Sequence, residues 1–112
     1  MAKALDFRNA KKHFLTVILN DEDNTTLLVT TPNKGLFEEL TLFQDLANGV
    51  GEEKDPETVD SLYDLTAKIM SRNKGNIKIT KEHLEEIFDL EDIIIFFNGY
   101  MDFIAEISAR KN

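Results

Sequence analysis

The sequence has no cysteine, no tryptophan, only two prolines and no apolar run longer than five residues. Without cysteine, the chain cannot form a disulfide, a thiolate-bound zinc or iron–sulfur site, or a cysteine nucleophile. The longest apolar run, Ile93–Phe97, is much shorter than the ~20 residues of a membrane span, and the first residues carry no apolar stretch of signal-peptide length. We therefore expect a cytoplasmic protein that makes no contact with a membrane.

Basic residues are also in the minority. The 112 residues include 13 Lys and Arg against 21 Asp and Glu, which gives a formal net charge of −8. A negative charge of this size opposes unguided binding to polyphosphates, so nucleic acid is not an expected partner. A chain of this length is typical of one domain with a single modest core, and we expect residues 1–112 to fold as one domain.

Two strand-like segments lie in the first third of the chain. Residues 13–19 and 25–31 are rich in β-branched and aromatic side chains, and the turn-prone residues 20–24 separate them. This pattern predicts a β-hairpin, to which residues 5–8 are expected to add a short edge strand. Because a hairpin alone is only marginally stable, helices must cover its apolar face. That face is predicted to contain Leu15, Val17, Leu19, Leu27 and Val29.

Four helices are predicted after the hairpin. Thr31-Pro32 and Asp55-Pro56 each combine a side chain that can cap a helix with a proline, which favours a helix start. Thr80 can cap a short third helix, and Asp89 a longer fourth one. Apolar residues recur at three- and four-residue spacing after each start, as expected for helices that bury one face.

The predicted fold is α+β but mainly α, with a β-hairpin region at residues 1–31 packed on about four helices in residues 32–109. The fourth helix has more apolar residues than one stripe of a surface helix can hold. Either it is the central helix of the bundle, or part of it stays exposed for another chain. The predicted centre of the core contains Phe37, Leu40, Phe43, Leu62, Ile69, Ile87, Phe96, Phe97, Tyr100 and Ile104.

Few residues fit a catalytic or metal-binding role. His13 lies in a predicted strand and His83 in the first turn of a predicted helix, and both are interpreted as structural. His83 and Glu86 have the i, i+3 spacing of paired metal ligands, but the rest of a ligand set is missing, so a solvated acidic face is the simpler interpretation. No serine lies in a nucleophile elbow, and no glycine-rich phosphate loop is present. We therefore expect a protein that is not an enzyme and uses no metal or cofactor.

Charge is unevenly distributed along the second half of the chain. Residues 65–81 contain no acid, and residues 82–92 contain no Lys or Arg. One hypothesis is that the basic edge of one molecule docks on the acidic edge of another, which would build a homo-oligomer. The alternative is ordinary solvated helix ends. The residues of this predicted self-association contact are Lys68, Arg72, Lys74, Lys78 and Lys81 on the basic side, and Glu82, Glu85, Glu86 and Asp89 on the acidic side.

A family resemblance is carried by segments spread over nearly the whole chain. They are Leu5–Phe7, Phe14–Val17, Thr30–Pro32, Leu62–Leu65, Ile69–Lys74, Ile79–Asp89 and Ile94–Asn98. The most recognisable pair is Met70–Lys74 followed by Thr80–Asp89. In this order the segments resemble the tail assembly chaperones of Gram-positive siphophages and prophages.

The resemblance implies a binding protein. Such chaperones are encoded between the major tail protein and the tape measure protein, and they hold the long hydrophobic tape measure protein soluble while tube subunits polymerise round it. The resemblance therefore implies the tape measure protein as the partner and the major tail protein as a further one. It also implies a location in the bacterial host cytoplasm and absence from the mature virion. Another phage tail structural or connector protein, and a small regulatory binding protein, are the alternative functions.

Client binding is expected to use exposed apolar surface on the fourth helix. Ile94, Met101 and Phe103 are the candidates because they lie off the stripe that is predicted to face the core. A flexible methionine and a large aromatic ring can fit several successive segments of a long client. The alternative is that these three side chains belong to the core.

Overall fold

The computed structural model describes residues 12–48 and 56–109, with the side chains of residues 43–48 and 108–109 excepted. The elements in chain order are β1 (Leu15–Ile18), β2 (Thr26–Val29), α1 (Lys34–Asn48), α2 (Pro56–Met70), α3 (Lys81–Ile87) and α4 (Leu90–Ala109). This order confirms the predicted α+β, mainly α fold. The edge strand expected at residues 5–8 lies outside the described residues.

The hairpin buries the predicted face. β1 and β2 pair antiparallel, with Leu15 opposite Val29 and Ile18 opposite Thr26. In the connecting loop, Asn24 adopts a positive φ of 49°, a conformation that Asn tolerates better than most residues. The predicted apolar face packs on the helices, with three side chains buried and two partly buried: Leu19, Leu27 and Val29, and then Leu15 and Val17.

The chain leaving α2 returns to the other edge of β2. The Thr30 amide donates to the Arg72 carbonyl at 2.8 Å, and the Lys74 amide donates to the Leu28 carbonyl at 3.0 Å. β2 therefore lies between β1 and residues 72–74, and among the described residues β1 is the outer strand of this small sheet.

The start of α1 differs from the prediction by two residues. Asn33 Oδ1 accepts from the Leu36 amide at 2.8 Å, so Asn33 caps the helix in place of Thr31, and Pro32 precedes it. Asn is at least as good an N-cap as Thr, because its short side chain reaches the free amides of the first turn. The helix then begins at Lys34.

The predicted caps of α3 and α4 are confirmed. Thr80 Oγ1 accepts from the His83 amide at 3.1 Å. The Asp89 and Asp92 carboxylates each accept from the other residue's amide at 2.9 Å, which forms a reciprocal capping box. The Phe88 carbonyl between the two helices accepts a hydrogen bond of 2.8 Å from the Tyr63 hydroxyl, so α2 holds this junction in place.

The core lies between the hairpin and the four described helices, and α4 contributes its largest side chains. Tyr100 is fully buried, and its hydroxyl donates to the Thr30 carbonyl at 2.8 Å, which ties α4 to the end of β2. Burial raises the pKa of the Tyr100 phenol, so the hydroxyl stays protonated as a donor at neutral pH. No helix in residues 12–48 and 56–109 has the length and apolar character of a membrane span.

Most of the predicted core centre is buried, with one error. Phe37 is 39% exposed, because Leu36 and Leu40 occupy the core face of α1 and Phe37 lies about 100° round the helix from Leu36. Ile87 and Ile104 are partly buried and pack against the core. The side chain of Phe43 is not among those that the structure describes. The six confirmed residues are Leu40, Leu62, Ile69, Phe96, Phe97 and Tyr100.

Candidate partner-binding surfaces

The three residues predicted to bind a client do not form one exposed surface. Phe103 is 8% exposed and packs against Tyr100, with a ring-centroid distance of 6.0 Å, so its predicted exposure is wrong. Ile94 and Met101 are partly buried. They are seven residues apart and share one flank of α4, whereas Phe103 lies about 180° round the helix from Ile94.

An apolar trough instead lies where β1 passes along α4. Its volume is about 370 Å³, and its side chains include Ile18 and Ile95, which are 67% and 63% exposed. A smaller cavity of about 270 Å³ shares Leu15 and Gly99 with the trough and extends it towards Phe103. We call this surface the β1–α4 trough, and its apolar wall comprises Leu15, Val17, Ile18, Phe88, Ile95, Phe96 and Gly99.

The trough runs beside the outer edge of β1. Leu19 donates its amide to the Thr25 carbonyl at 2.8 Å on the β2 side. Because backbone direction alternates along an antiparallel strand, Thr16 and Ile18 point their N–H and C=O groups to the outer edge. Among residues 12–48 and 56–109, no strand pairs with this edge. An apolar surface and a row of strand-pairing groups therefore lie side by side.

Carboxylate side chains line the trough and its extension. Residues 82–109 contain eight acids and no Lys or Arg. Asp92 lines the trough itself, and Asp102 and Glu106 line its smaller extension. A partner with positive charge near its apolar residues would complement this surface.

The basic side of the predicted self-association contact is largely engaged within the chain. Lys68 Nζ lies 3.6 Å from a carboxylate oxygen of Glu39 and 3.6 Å from one of Asp64. Lys81 Nζ lies 2.8 Å from Asp60 Oδ1, and this hydrogen bond raises the pKa of the Lys81 ammonium. Both cations thus have acidic neighbours on their own molecule.

Of the other residues in the predicted self-association contact, some interact within the chain and some are exposed. Arg72 Nη2 donates to the Thr31 carbonyl at 3.1 Å, and Lys74 Nζ lies 5.6 Å from the centre of the Phe14 ring. Lys78 is exposed. On the acidic side Asp89 caps α4, while the other three acids are exposed: Glu82, Glu85 and Glu86. Self-association through these residues stays a prediction.

The run Met70–Lys74, the most recognisable part of the family resemblance, has an architectural role. Asn73 is buried, and its side-chain amide donates to the Met70 carbonyl at 2.8 Å and to the Ile77 carbonyl at 2.7 Å. Asn73 Oδ1 accepts from the Ile77 amide at 2.8 Å. Ser71 Oγ donates to the Ile79 carbonyl and accepts from the Ile79 amide. The polar residues that follow α2 thus build the turn that returns the chain to β2.

His83 is part of a contact between the hairpin loop and α3. Its Nε2 lies 3.0 Å from Asp21 Oδ2. Asp21 also accepts from the Thr25 amide at 2.9 Å and from the Thr25 hydroxyl at 2.7 Å, and these bonds lower the pKa of its carboxyl to about 2. Asn20 Nδ2 donates to the Ile87 carbonyl at 3.1 Å on the same side. This polar cluster connects the hairpin loop to α3, and the structural role of His83 stays a prediction.

The candidate metal pair His83 and Glu86 gains no further ligand. Within the described residues, no group of three or more histidine, cysteine, aspartate or glutamate side chains is arranged to hold a metal ion. His83 has Asp21 as its neighbour, and Glu86 is exposed.

Comparison with known proteins identifies no relative. No family model, no curated protein and no solved structure matches this chain. The resemblance to tail assembly chaperones therefore rests on its sequence segments alone.

Proposed function

We propose that this protein is a tail assembly chaperone that binds the tape measure protein and keeps it soluble in the host cytoplasm while the tail tube assembles. The observation that carries the proposal is the β1–α4 trough, where Ile18 and Ile95 leave apolar surface exposed beside the outer edge of a strand. A contiguous apolar surface rimmed by polar residues is typical of sites that bind other proteins.

The strength of such a site suits a chaperone that must release its client. Covering one exposed isoleucine contributes up to about 1.5–3 kcal/mol, and ordering the client opposes this gain. A single trough therefore binds weakly, and several molecules are needed to cover a long apolar client. The formal charge of −8 on each molecule adds negative charge to the complex and keeps it in solution.

Co-expression with the tape measure protein of the same phage or prophage tests this function. We expect the tape measure protein to be recovered in the soluble fraction with this chain and to pellet without it. The two proteins should also copurify through a tag on either one. A tape measure protein that pellets equally in both cultures, while the chain itself is folded and abundant, would refute the proposal.

A further inference from the structure

We infer that the β1–α4 trough binds its partner by strand addition, with an extended cationic segment of the client pairing along the outer edge of β1. This inference rests on the proposed chaperone function and specifies the conformation and charge of the bound segment. Three properties of the trough support it: its backbone groups, the shape of its apolar wall, and its charge.

The backbone supplies the pairing groups. Thr16 and Ile18 each direct one N–H donor and one C=O acceptor to the outer edge of β1, because Leu15 and Val17 use theirs to pair with β2. An exposed strand edge of this kind is a template for an additional strand. Within residues 12–48 and 56–109 no strand pairs with these four groups, which can therefore bond an incoming segment of about four residues.

The wall of the trough accepts the side chains of such a strand. Side chains alternate between the two faces of a sheet, so every second residue of an added strand would point towards α4, as Leu15 and Val17 do. On α4 the space above Gly99 is open, since a Cβ atom placed there would meet no heavy atom within 4 Å. Phe88, Phe96 and Ile95 provide apolar surface on the same side. Apolar residues at alternate positions of the client fit this geometry.

The negative charge at the trough favours a cationic client segment over a second copy of this chain. Asp92 in the trough and Asp102 at its extension lie in a stretch of 28 residues, 82–109, without a Lys or Arg. A second copy of this chain would bring the same acids to the contact and be repelled. A segment that alternates apolar residues with Lys or Arg would pack its apolar side chains against the wall of the trough. Its cations would be attracted by the nearby carboxylates.

Amide hydrogen exchange on the full chain, followed by NMR, tests the pairing. The probe is the seven-residue peptide Lys-Val-Lys-Val-Lys-Val-Lys, added in excess. We expect the Thr16 and Ile18 amides to exchange fast in the free protein and to become protected with the peptide. The Val17 amide, which faces β2, should be protected in both states and is the internal control. Thr16 and Ile18 amides that are already protected in the free chain would overturn the inference, since the edge would then be occupied by the edge strand predicted at residues 5–8 or by a second copy.

Matched probes and variants separate strand addition from simple charge attraction. A peptide with the same sequence and alternate N-methylated amides, and one with Glu in place of Lys, should each bind at least about tenfold more weakly. Gly99→Leu, whose Cβ atom would meet no heavy atom within 4 Å and whose side chain would take up space in the trough, should weaken binding of the Lys-Val peptide to the same degree, whereas Leu42→Lys on α1 should not. Equal binding of the methylated and unmethylated peptides would overturn the inference.

The outcomes for the two proposals are distinguishable. If the wild-type chain keeps the tape measure protein soluble while the peptide leaves the Thr16 and Ile18 amides unprotected, strand addition is wrong and the chaperone function stands. If the peptide protects both amides while the tape measure protein stays insoluble, the strand-binding site stands and the proposed function is wrong.

Discussion

Asn73 is the residue on which the turn after α2 depends. Its buried side chain makes three hydrogen bonds to backbone groups of Met70 and Ile77. Asn73→Ala would leave these groups without their partner in the protein interior, and we expect a loss of about 2–3 kcal/mol in the free energy of unfolding. The same change at exposed Asn98 on α4 should cost less than about 0.5 kcal/mol. Urea denaturation measures both, and equal stability of the two variants would contradict the role of Asn73.

Asp21 predicts a specific dependence of stability on pH. The carboxyl pKa is about 2 in the folded protein against an ordinary value of 3.8, because Thr25 donates two hydrogen bonds to it and His83 lies beside it. A lowered pKa contributes stability that is complete above pH 3.8 and is lost as the pH falls through about 2. The difference in stability between the wild type and Asp21→Asn should therefore shrink over this interval.

Thermal melting from neutral pH down to about pH 2 checks this prediction. Asp23→Asn in the same loop is the control, because Asp23 is exposed and its curve should run parallel to that of the wild type. A constant difference between the wild type and Asp21→Asn across the interval would contradict the assignment.

The sequence predicted neither the hydrogen bonds of Asn73, which reach only three and four residues along the chain, nor the contact of Asp21 with His83. Asp21 was predicted only as a turn residue, and its contact with His83 joins residues 62 positions apart. The helix caps at Thr80 and Asp89 were predictable because a cap and the amide it binds are three residues apart. Helix caps can be predicted because they follow a known spacing, whereas the equally local hydrogen bonds of Asn73 follow no such pattern and the distant contact of Asp21 requires the fold.

At the scale of elements, helix periodicity identified the core face of α4, whereas on α1 it identified Leu40 but wrongly added Phe37. Phe97 is 1% exposed, and Phe97→Ala is expected to cost about 3–5 kcal/mol, a large part of the stability of a small domain. Phe37→Ala makes the same chemical change at an exposed position on α1 and should cost less than about 1 kcal/mol. Urea denaturation distinguishes them. A Phe37→Ala variant as unstable as Phe97→Ala would place Phe37 in the core, as the sequence had predicted.

The β1–α4 trough could not be predicted from the sequence. Periodicity shows which face of a helix is apolar, but not which strand or helix covers each side of that face. Phe103 and Ile95 both lie off the stripe of α4 that was predicted to face the core. Phe103 is buried beside the extension of the trough, whereas Ile95 is exposed at its rim. This difference depends on where β1 lies along α4, about 80 residues away in sequence. The hairpin and the helix were each predictable, but their contact was not.

At the scale of the whole molecule, the predicted self-association depends on whether the lysines of the basic edge already form ion pairs within their own chain. Lys68 and Lys81 lie beside acids of their own chain, so we expect any contact between basic and acidic edges to be weak and sensitive to salt. Light scattering at high protein concentration should show a mass that falls from low to moderate ionic strength. Lys78→Glu should lower the mass at low salt, because Lys78 is exposed on the basic side. A monomer at low salt would contradict the prediction.

Soluble recovery of the tape measure protein with three variants tests the central claim, client binding at the β1–α4 trough, most directly. Ile95→Lys charges the trough, Ile94→Lys charges the next flank of α4, and Leu42→Lys changes a side chain of similar exposure on α1. With folding of each variant verified by circular dichroism, we predict that Ile95→Lys alone reduces recovery, by roughly tenfold or more. Undiminished recovery with Ile95→Lys, or an equal loss with Leu42→Lys, would contradict the claim.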